Sequence, residues 1–323
     1  MKRLLFGLLV VTLIAVSALT VSAAGAREEA AYPARDIEFI VPYGAGGSTD
    51  QFVRALVPHL EAALGVSVVV RNVTGGGGAV GYAETLAKPA DGYTVTVPNN
   101  AMFTLEGMGY VDFSYQDFDN IARVILEDYV LTVGADTGFQ TAQELADYAR
   151  QNPGEVQIGH SGVGSSTHIV TVALMEFLGV DVDLVPYEGG AAAMVAAMGG
   201  HVHGIVQHPA EIISAVAGGD LVPLASMGDV RAHSLPDTPT MKEAGLDFTV
   251  LQWRGIGFPG GVSDEVKQVW VSALEQAVTN PSFQRMVEEQ LVATLDLAVG
   301  DAFDEFEQNM ADVFIPIARK FAE

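Results

Sequence analysis

Apolar and β-branched residues cluster over 37–43, 67–72 and 93–98, and residues 49–64 and 79–88 between them repeat apolar positions every three or four residues. The start of the chain therefore predicts strand, helix, strand, helix, strand, an order that demands a parallel sheet with crossover helices. Pro58 falls inside the first helical pattern and predicts a kink, because it removes a hydrogen bond to Arg54 at a cost of about 3 kcal/mol. Residues 121–133 are extended and apolar without a helical period, a passage suited to carry the chain from one domain into another. The design then repeats: strand 156–160, a small-residue turn, helix 169–178, strand 182–187, helix 191–198, strand 204–207, helix 209–216 and strand 221–227. A Pro-rich segment, a capping box from Thr240 to Glu243 and a strand over 248–258 lead into three acidic helices at 263–278, 281–291 and 301–321, the second opened by the N-cap pair Asn280-Pro281.

Candidate chemistry sits where strand gives way to helix. Val41-Pro42-Tyr43-Gly44-Ala45-Gly46-Gly47-Ser48-Thr49-Asp50 has glycines that let the backbone approach a ligand, and Ser48 with Gln51 predicts a capping box. The first-turn N–H groups then point outward at the positive end of a helix dipole, forming a seat for an anion. An ordinary βα turn is the alternative. The second unit offers the same arrangement in Ser161-Gly162-Val163-Gly164-Ser165-Ser166-Thr167-His168, with Ser165 or Ser166 as cap, so there is one seat in each half. His168 either donates to a carboxylate or bonds backbone in its own loop. Arg254, after a buried-looking Trp253, either clamps a carboxylate bidentately or pairs with an acidic neighbour.

Composition narrows the function classes. Lys2-Arg3, an apolar run and Ala24-Gly25-Ala26 form a secretory signal pattern over 1–26; a retained anchor is the alternative. The absence of cysteine excludes disulfides, thiol nucleophiles, cysteine-built zinc sites and lipid attachment at cysteine. With 323 residues, 49% of them hydrophobic, the chain can fill two cores. Its formal charge of −24 repels nucleic acid and anionic membrane surfaces, so an anion site here must work through local donors.

Catalytic and metal patterns fit poorly. Gly159-His160-Ser161-Gly162-Val163 approaches a nucleophile elbow, but Val163 replaces the final glycine and no clear acid and histidine follow. Thr49 stands where a dinucleotide fingerprint needs glycine or alanine, and no Walker lysine follows the glycines at 75–78. His201 and His203, at strand spacing with His208 nearby, read either as a metal site or as satisfied polar residues at a sheet end.

A series of short motifs, taken in order, resembles one family. These are the 41–50 loop, Arg71-Asn72 followed by glycines 75–78 and Ala79-Val80-Gly81, Ala90-Asp91-Gly92-Tyr93-Thr94, the 161–168 loop, Val185-Pro186-Tyr187 with Gly189, Gly199-Gly200, Pro236-Asp237-Thr238-Pro239-Thr240 and Trp253-Arg254-Gly255. The chain is similar from about Pro33 onward to the periplasmic solute receptors of tripartite tricarboxylate transporters, the Bug or TctC type. That resemblance implies an α/β, two-lobed type II periplasmic-binding-protein fold, each lobe a mostly parallel sheet flanked by helices with a cleft between. Lobe I would comprise 27–126 plus 228–323, and lobe II 127–227. It also implies a monomeric, non-enzymatic periplasmic receptor without cofactor, delivering a small organic carboxylate to the large and small membrane subunits of a permease. Feeding a sensor kinase is the alternative, and neighbouring genes would discriminate the two.

The ligand contacts expected on this reading are Tyr43, Gly44, Ala45, Gly46, Gly47, Ser48, Thr49 and Asp50 in the first loop, and Ser161, Gly162, Gly164, Ser165, Ser166 and His168 in the second, with Tyr187, Gln207 and Arg254 beside them. Departures from the family pattern point to a retuned pocket. Tyr43-Gly44-Ala45-Gly46 lacks a second proline, Glu188 stands where a basic residue is frequent, and His201-Val202-His203 replaces an expected aspartate.

Overall fold

The computed structural model describes residues 32–320; the signal peptide expected over 1–26 lies outside them. Strand β1 (Ile37–Val41) is buried except at Glu38, as expected of a central parallel strand covered by helices. Helix α1 (Ser48–Leu64) follows and stops at Gly65, whose left-handed φ of 73° lets its N–H bond back to the Glu61 carbonyl. Pro58 lies within α1, which continues through it. Next come β2 (Val68–Asn72), α2 (Ala79–Leu86), β3 (Thr94–Thr96) and α3 (Asn100–Gly107). No amphipathic period announces α3, because it is buried on nearly every side; its start is fixed by the Asn99 side chain, which accepts from the Ala101 N–H.

The apolar passage resolves into β4 (Phe118–Asp128) and β5 (Val130–Gly134), separated by Tyr129 alone yet lying in different sheets. The second half continues with α4 (Ala142–Gln151), β6 (Gln157–His160), α5 (Ser166–Leu178), β7 (Asp183–Pro186), α6 (Gly190–Met198), β8 (Gly204–Gln207), α7 (Pro209–Gly218) and β9 (Leu221–Ser226). The chain then returns through β10 (Leu251–Pro259), α8 (Asp264–Val278), α9 (Pro281–Met286), β11 (Thr294–Val299) and α10 (Asp301–Arg319). Helices α3 and α4 and strand β11 are absent from the pattern-based reading, although Thr141 with Glu144 forms a capping pair at the start of α4 (Glu144 N to Thr141 Oγ1 3.1 Å).

One sheet has the order β11-β4-β10-β3-β1-β2 and the other β7-β6-β8-β5-β9. Both are mixed. β1 is parallel to β2 and β3, and β6 to β7 and β8, whereas β10, β11 and β5 run antiparallel to their neighbours. The reversals fall at β5 and β10, the strands by which the chain enters the second sheet and comes back. In the first sheet Trp253 packs among Phe103, Phe303 and Phe306, with ring centroids 5.7–6.2 Å apart. Gly107 lets α10 approach α3 closely, since a Cβ there would overlap Ala318 and Ile315. The C-terminal helix is thereby fastened to the first sheet's helical layer.

Candidate functional site

The first loop is braced from within. Gly46 donates its N–H to Asp50 Oδ2 at 2.9 Å, Asn72 Nδ2 bonds both the Tyr43 carbonyl (2.9 Å) and Asp50 Oδ1 (3.0 Å), and Arg54 pairs with the same carboxylate. Burial works against the charge of Asp50, but these donors outweigh it and hold its pKa below the usual value. Asp50 is therefore a strut of the loop. The expected capping box is not formed: Gly47 is the N-cap without a side-chain bond, Ser48 is the first helical residue, and Gln51 Nε2 reaches the Gly46 carbonyl instead (2.8 Å). With Ser48 one position inside the helix, its hydroxyl is free to accept from Arg254.

The second loop is built by its hydroxyls. Ser165 caps α5 by accepting from the His168 N–H (3.2 Å), and Thr167 Oγ1 accepts from the Ser161 N–H (3.0 Å) and meets Ser165 Oγ (3.1 Å). His168 serves its own loop, with Nδ1 accepting from the Gly164 N–H at 3.3 Å and its ring 4.5 Å from His160. Burial lowers the pKa of both imidazoles, that of His160 to about 4. Gln207 Nε2 donates to Ser161 Oγ (3.2 Å), and Gln252 Nε2 donates to Ser166 Oγ (2.8 Å). Gln252 belongs to β10, so this last bond ties the first sheet to the second loop.

The two loops face one cavity of about 30 Å³. Of the expected contacts, Tyr43, Gly44, Gly47, Ser48, Thr49, Ser161, Ser165, Ser166, Gln207 and Arg254 line it. Gly162 and Tyr187 line an outer cleft of about 510 Å³ that shares Tyr43 and Ser161 with the inner chamber. Ala45, Gly46, Asp50, Gly164 and His168 line neither. Ala45 and Gly46 are exposed on the far side of the turn. The others are held in the internal bonds described above or, for Gly164, against Leu105.

Arg254 is 1% exposed, donates to Ser48 Oγ and Thr49 Oγ1, and pairs with Glu127 of β4, itself 1% exposed. A second buried carboxylate enters from the other sheet's side: Glu211, in the first turn of α7, accepts the Ser48 N–H at 2.7 Å. Burial pushes Glu211 up to about 7 against the pull of that N–H and of Arg254. His208, the N-cap of α7, has Nδ1 3.0 Å from the Asp128 carbonyl and is pushed down to about 3 by burial and Arg254, so it is neutral.

Glu211, Gln252, His208, Thr167 and Gly190 line the chamber without having been assigned to it. Gln252 was findable, since it shares a strand face with Arg254 two residues on. Glu211 was not, because a glutamate in a first helical turn reads as an ordinary dipole partner. The candidate histidine cluster dissolves: His201 and His203 lie in the turn before β8 rather than on a strand, and His203 Nδ1 accepts from the Gln157 N–H (3.0 Å). Among the described residues no group of three or more His, Asp or Glu side chains gathers as a metal site would, and no helix is long and apolar enough to cross a membrane.

Comparison with known proteins fits this geometry. The family described as "Tripartite tricarboxylate transporter family receptor" (TctC) matches residues 52–308. Protein BugT of Bordetella pertussis is 28% identical over 86% of this chain and 88% of its own length. The solved structure of the periplasmic binding protein BugD superposes with a TM-score of 0.84 at 28% identity, covering 90% of this chain and 98% of BugD. The fold is also that of MatC from Rhodopseudomonas palustris with bound malate, at a TM-score of 0.81 and 22% identity over 90% of this chain and all (100%) of MatC. These are binding proteins and not enzymes. The chain belongs to the tripartite tricarboxylate transporter family of receptors, the TctC or Bug type of solute-binding protein.

Proposed function

We propose that the protein captures a small organic carboxylate, a di- or tricarboxylate or an aromatic acid, outside the cytoplasm and presents it to the large and small membrane subunits of a tripartite permease. In this reading residues 1–26 are removed as a signal peptide, residues 27–126 with 228–323 form lobe I, and residues 127–227 form lobe II. The observation that carries it is the convergence on one chamber of two helix N-termini from different sheets, α1 behind Gly47-Ser48 and α5 behind Ser165-Ser166, beside the buried Arg254. Backbone N–H groups and hydroxyls aimed from two sides suit a carboxylate, and their short range is unaffected by the chain's long-range negative field. Malate in MatC, a protein of the same fold, agrees with that ligand class. A ligand bonded by both loops stabilises the closed arrangement of the lobes over any open one, so closure follows from differential affinity.

A thermal-shift screen of mono-, di- and tricarboxylates and aromatic acids tests this. A ligand at 100 times its Kd adds about 2.7 kcal/mol, enough to raise Tm by several degrees in a protein of this size. A shift from a neutral sugar or a metal cation, with none from any carboxylate, would refute the reading.

A further inference from the structure

Glu211 sits where the first loop would hold a ligand's anionic oxygen. Its Oε1 takes the Ser48 N–H, the first donor of α1, and the carboxylate lies against Gly190, the first residue of α6, where a Cβ would overlap both of its oxygens. Glu211 itself belongs to the first turn of α7. Three helix N-terminal turns thus meet at one side-chain carboxylate, an environment suited to an anion. Oε2 is buried and has no hydrogen-bond partner among the described residues, an expensive state for a carboxylate oxygen.

The surrounding charges are few and already committed. From β10 comes Arg254, paired with Glu127 of β4; α7 contributes the neutral His208 at its own N-cap; α1 contributes Asp50, which faces Arg54. Tyr43 of the first loop, its phenol pushed up to about 12 by burial, is uncharged, and α6 carries no ionisable side chain. One arginine therefore faces two buried carboxylates before any ligand carboxylate arrives.

We propose that Glu211 is a specificity-determining residue that takes up one proton when a ligand carboxylate enters, so that a carboxyl and a carboxylate, rather than two carboxylates, share the first-loop seat. The inference rests on the carboxylate reading above. The proton comes from solvent and forms an O–H on Oε2, which then donates to the ligand oxygen while Oε1 keeps the Ser48 N–H. Two carboxylates in contact cannot both stay ionised, and the proton removes that repulsion. Burial already brings Glu211 to about 7, so the uptake is accessible near neutral pH. The site would consequently favour carboxylates at mildly acidic pH and penalise them at alkaline pH.

Isothermal titration calorimetry with malate, adipate, citrate and benzoate as probes tests this at pH 6 and pH 8, each in two buffers of different ionisation enthalpy. For the wild type, the probe that binds should take up close to one proton per site at pH 8, with affinity about tenfold weaker than at pH 6. Glu211→Gln, checked for native circular dichroism, should bind with the same affinity at both pH values and no proton uptake. The wild-type proton count needs no variant, so a misfolded Glu211→Gln would not rescue the idea. Equal wild-type affinity at pH 6 and pH 8 without proton uptake overturns the role of Glu211 and leaves the carboxylate reading standing. A Glu211→Gln protein that keeps the wild-type pH dependence does the same. Failure of all four acids to bind at either pH overturns both.

Discussion

Arg254, 1% exposed, holds three partners: the hydroxyls of Ser48 and Thr49 and the carboxylate of Glu127. Of the two readings its sequence position allowed, clamp or ion pair, the geometry displays the pair with Glu127, and the guanidinium also fixes the first turn of α1. Its removal would strand Glu127 in the interior. Arg254→Met should therefore lower the unfolding free energy by roughly 3–5 kcal/mol in urea titrations, and adding Glu127→Gln should restore much of the loss. A single variant as stable as the wild type would show that Glu127 is already neutral in the fold. His168 and Asp50 carry the same lesson: both are polar residues at a loop that looks like a binding site, His168 bonding the Gly164 N–H of its own loop and Asp50 bonding the Gly46 N–H and the bracing side chains of Arg54 and Asn72.

At the scale of elements, α1 and α5 are the same device used twice, a strand-to-helix turn whose small residues leave first-turn donors facing a common space. Their caps differ. Ser165, one of the two caps the sequence allows, caps α5, whereas at α1 the N-cap is Gly47 and the Ser48 hydroxyl accepts from Arg254. Pro58, exposed on α1, leaves the Arg54 carbonyl without its helical donor while the helix continues to Leu64. Pro58→Ala supplies that N–H and gives up some restriction of the unfolded chain, so a net gain of about 1–2 kcal/mol in denaturant midpoint analysis is expected. A loss of stability would mean that the proline is required by a bend in the helix.

For the whole molecule, buried carboxyls and buried histidines set the pH response in opposite directions. Burial raises Asp128 to about 6, helped by the charges of Glu127 and Asp229, and raises Glu211 and Glu307 to about 7. In the unfolded chain such carboxyls lose their protons near pH 4–4.5, so between there and about pH 7 the folded state holds more protons on them and their contribution to stability falls as pH rises. Asp50 is of the opposite kind, held below its ordinary value by Arg54, Gly46 and Asn72 against burial, and its contribution disappears only as pH falls through its depressed folded-state pKa. The formal charge of −24 adds self-repulsion at higher pH. His160 and His208, held down by burial to about 4 and about 3, work the other way, since the unfolded chain binds their protons first as pH falls below about 6.5. The carboxyl effect is therefore isolated in Glu307→Gln, whose Tm relative to the wild type should rise from pH 5 to pH 8 at constant ionic strength. A Glu307→Gln protein whose Tm differs from the wild type by the same amount at both pH values would contradict the assignment of this carboxyl.

Local pattern by itself determined most of the alternation of strands and helices from β1 to β9, α3 and α4 excepted, through apolar β-branched runs for the buried strands and one-sided burial for the helices. It also determined the two helix-opening loops and, through the ordered motifs, the family. It could not reveal α3, whose residues are buried all round and carry no period, nor β11, whose residues are only half-buried. Tertiary structure alone decided the sheet orders, the reversal of β5 and β10, and the meeting of Arg254, Glu127 and Glu211. Glu127 and Arg254 lie far apart in sequence, and Ser48 and Glu211 are separated by 163 positions. No local preference encodes a contact of that range, because it exists only once both sheets have folded and brought the starts of α1, α6 and α7 to one point.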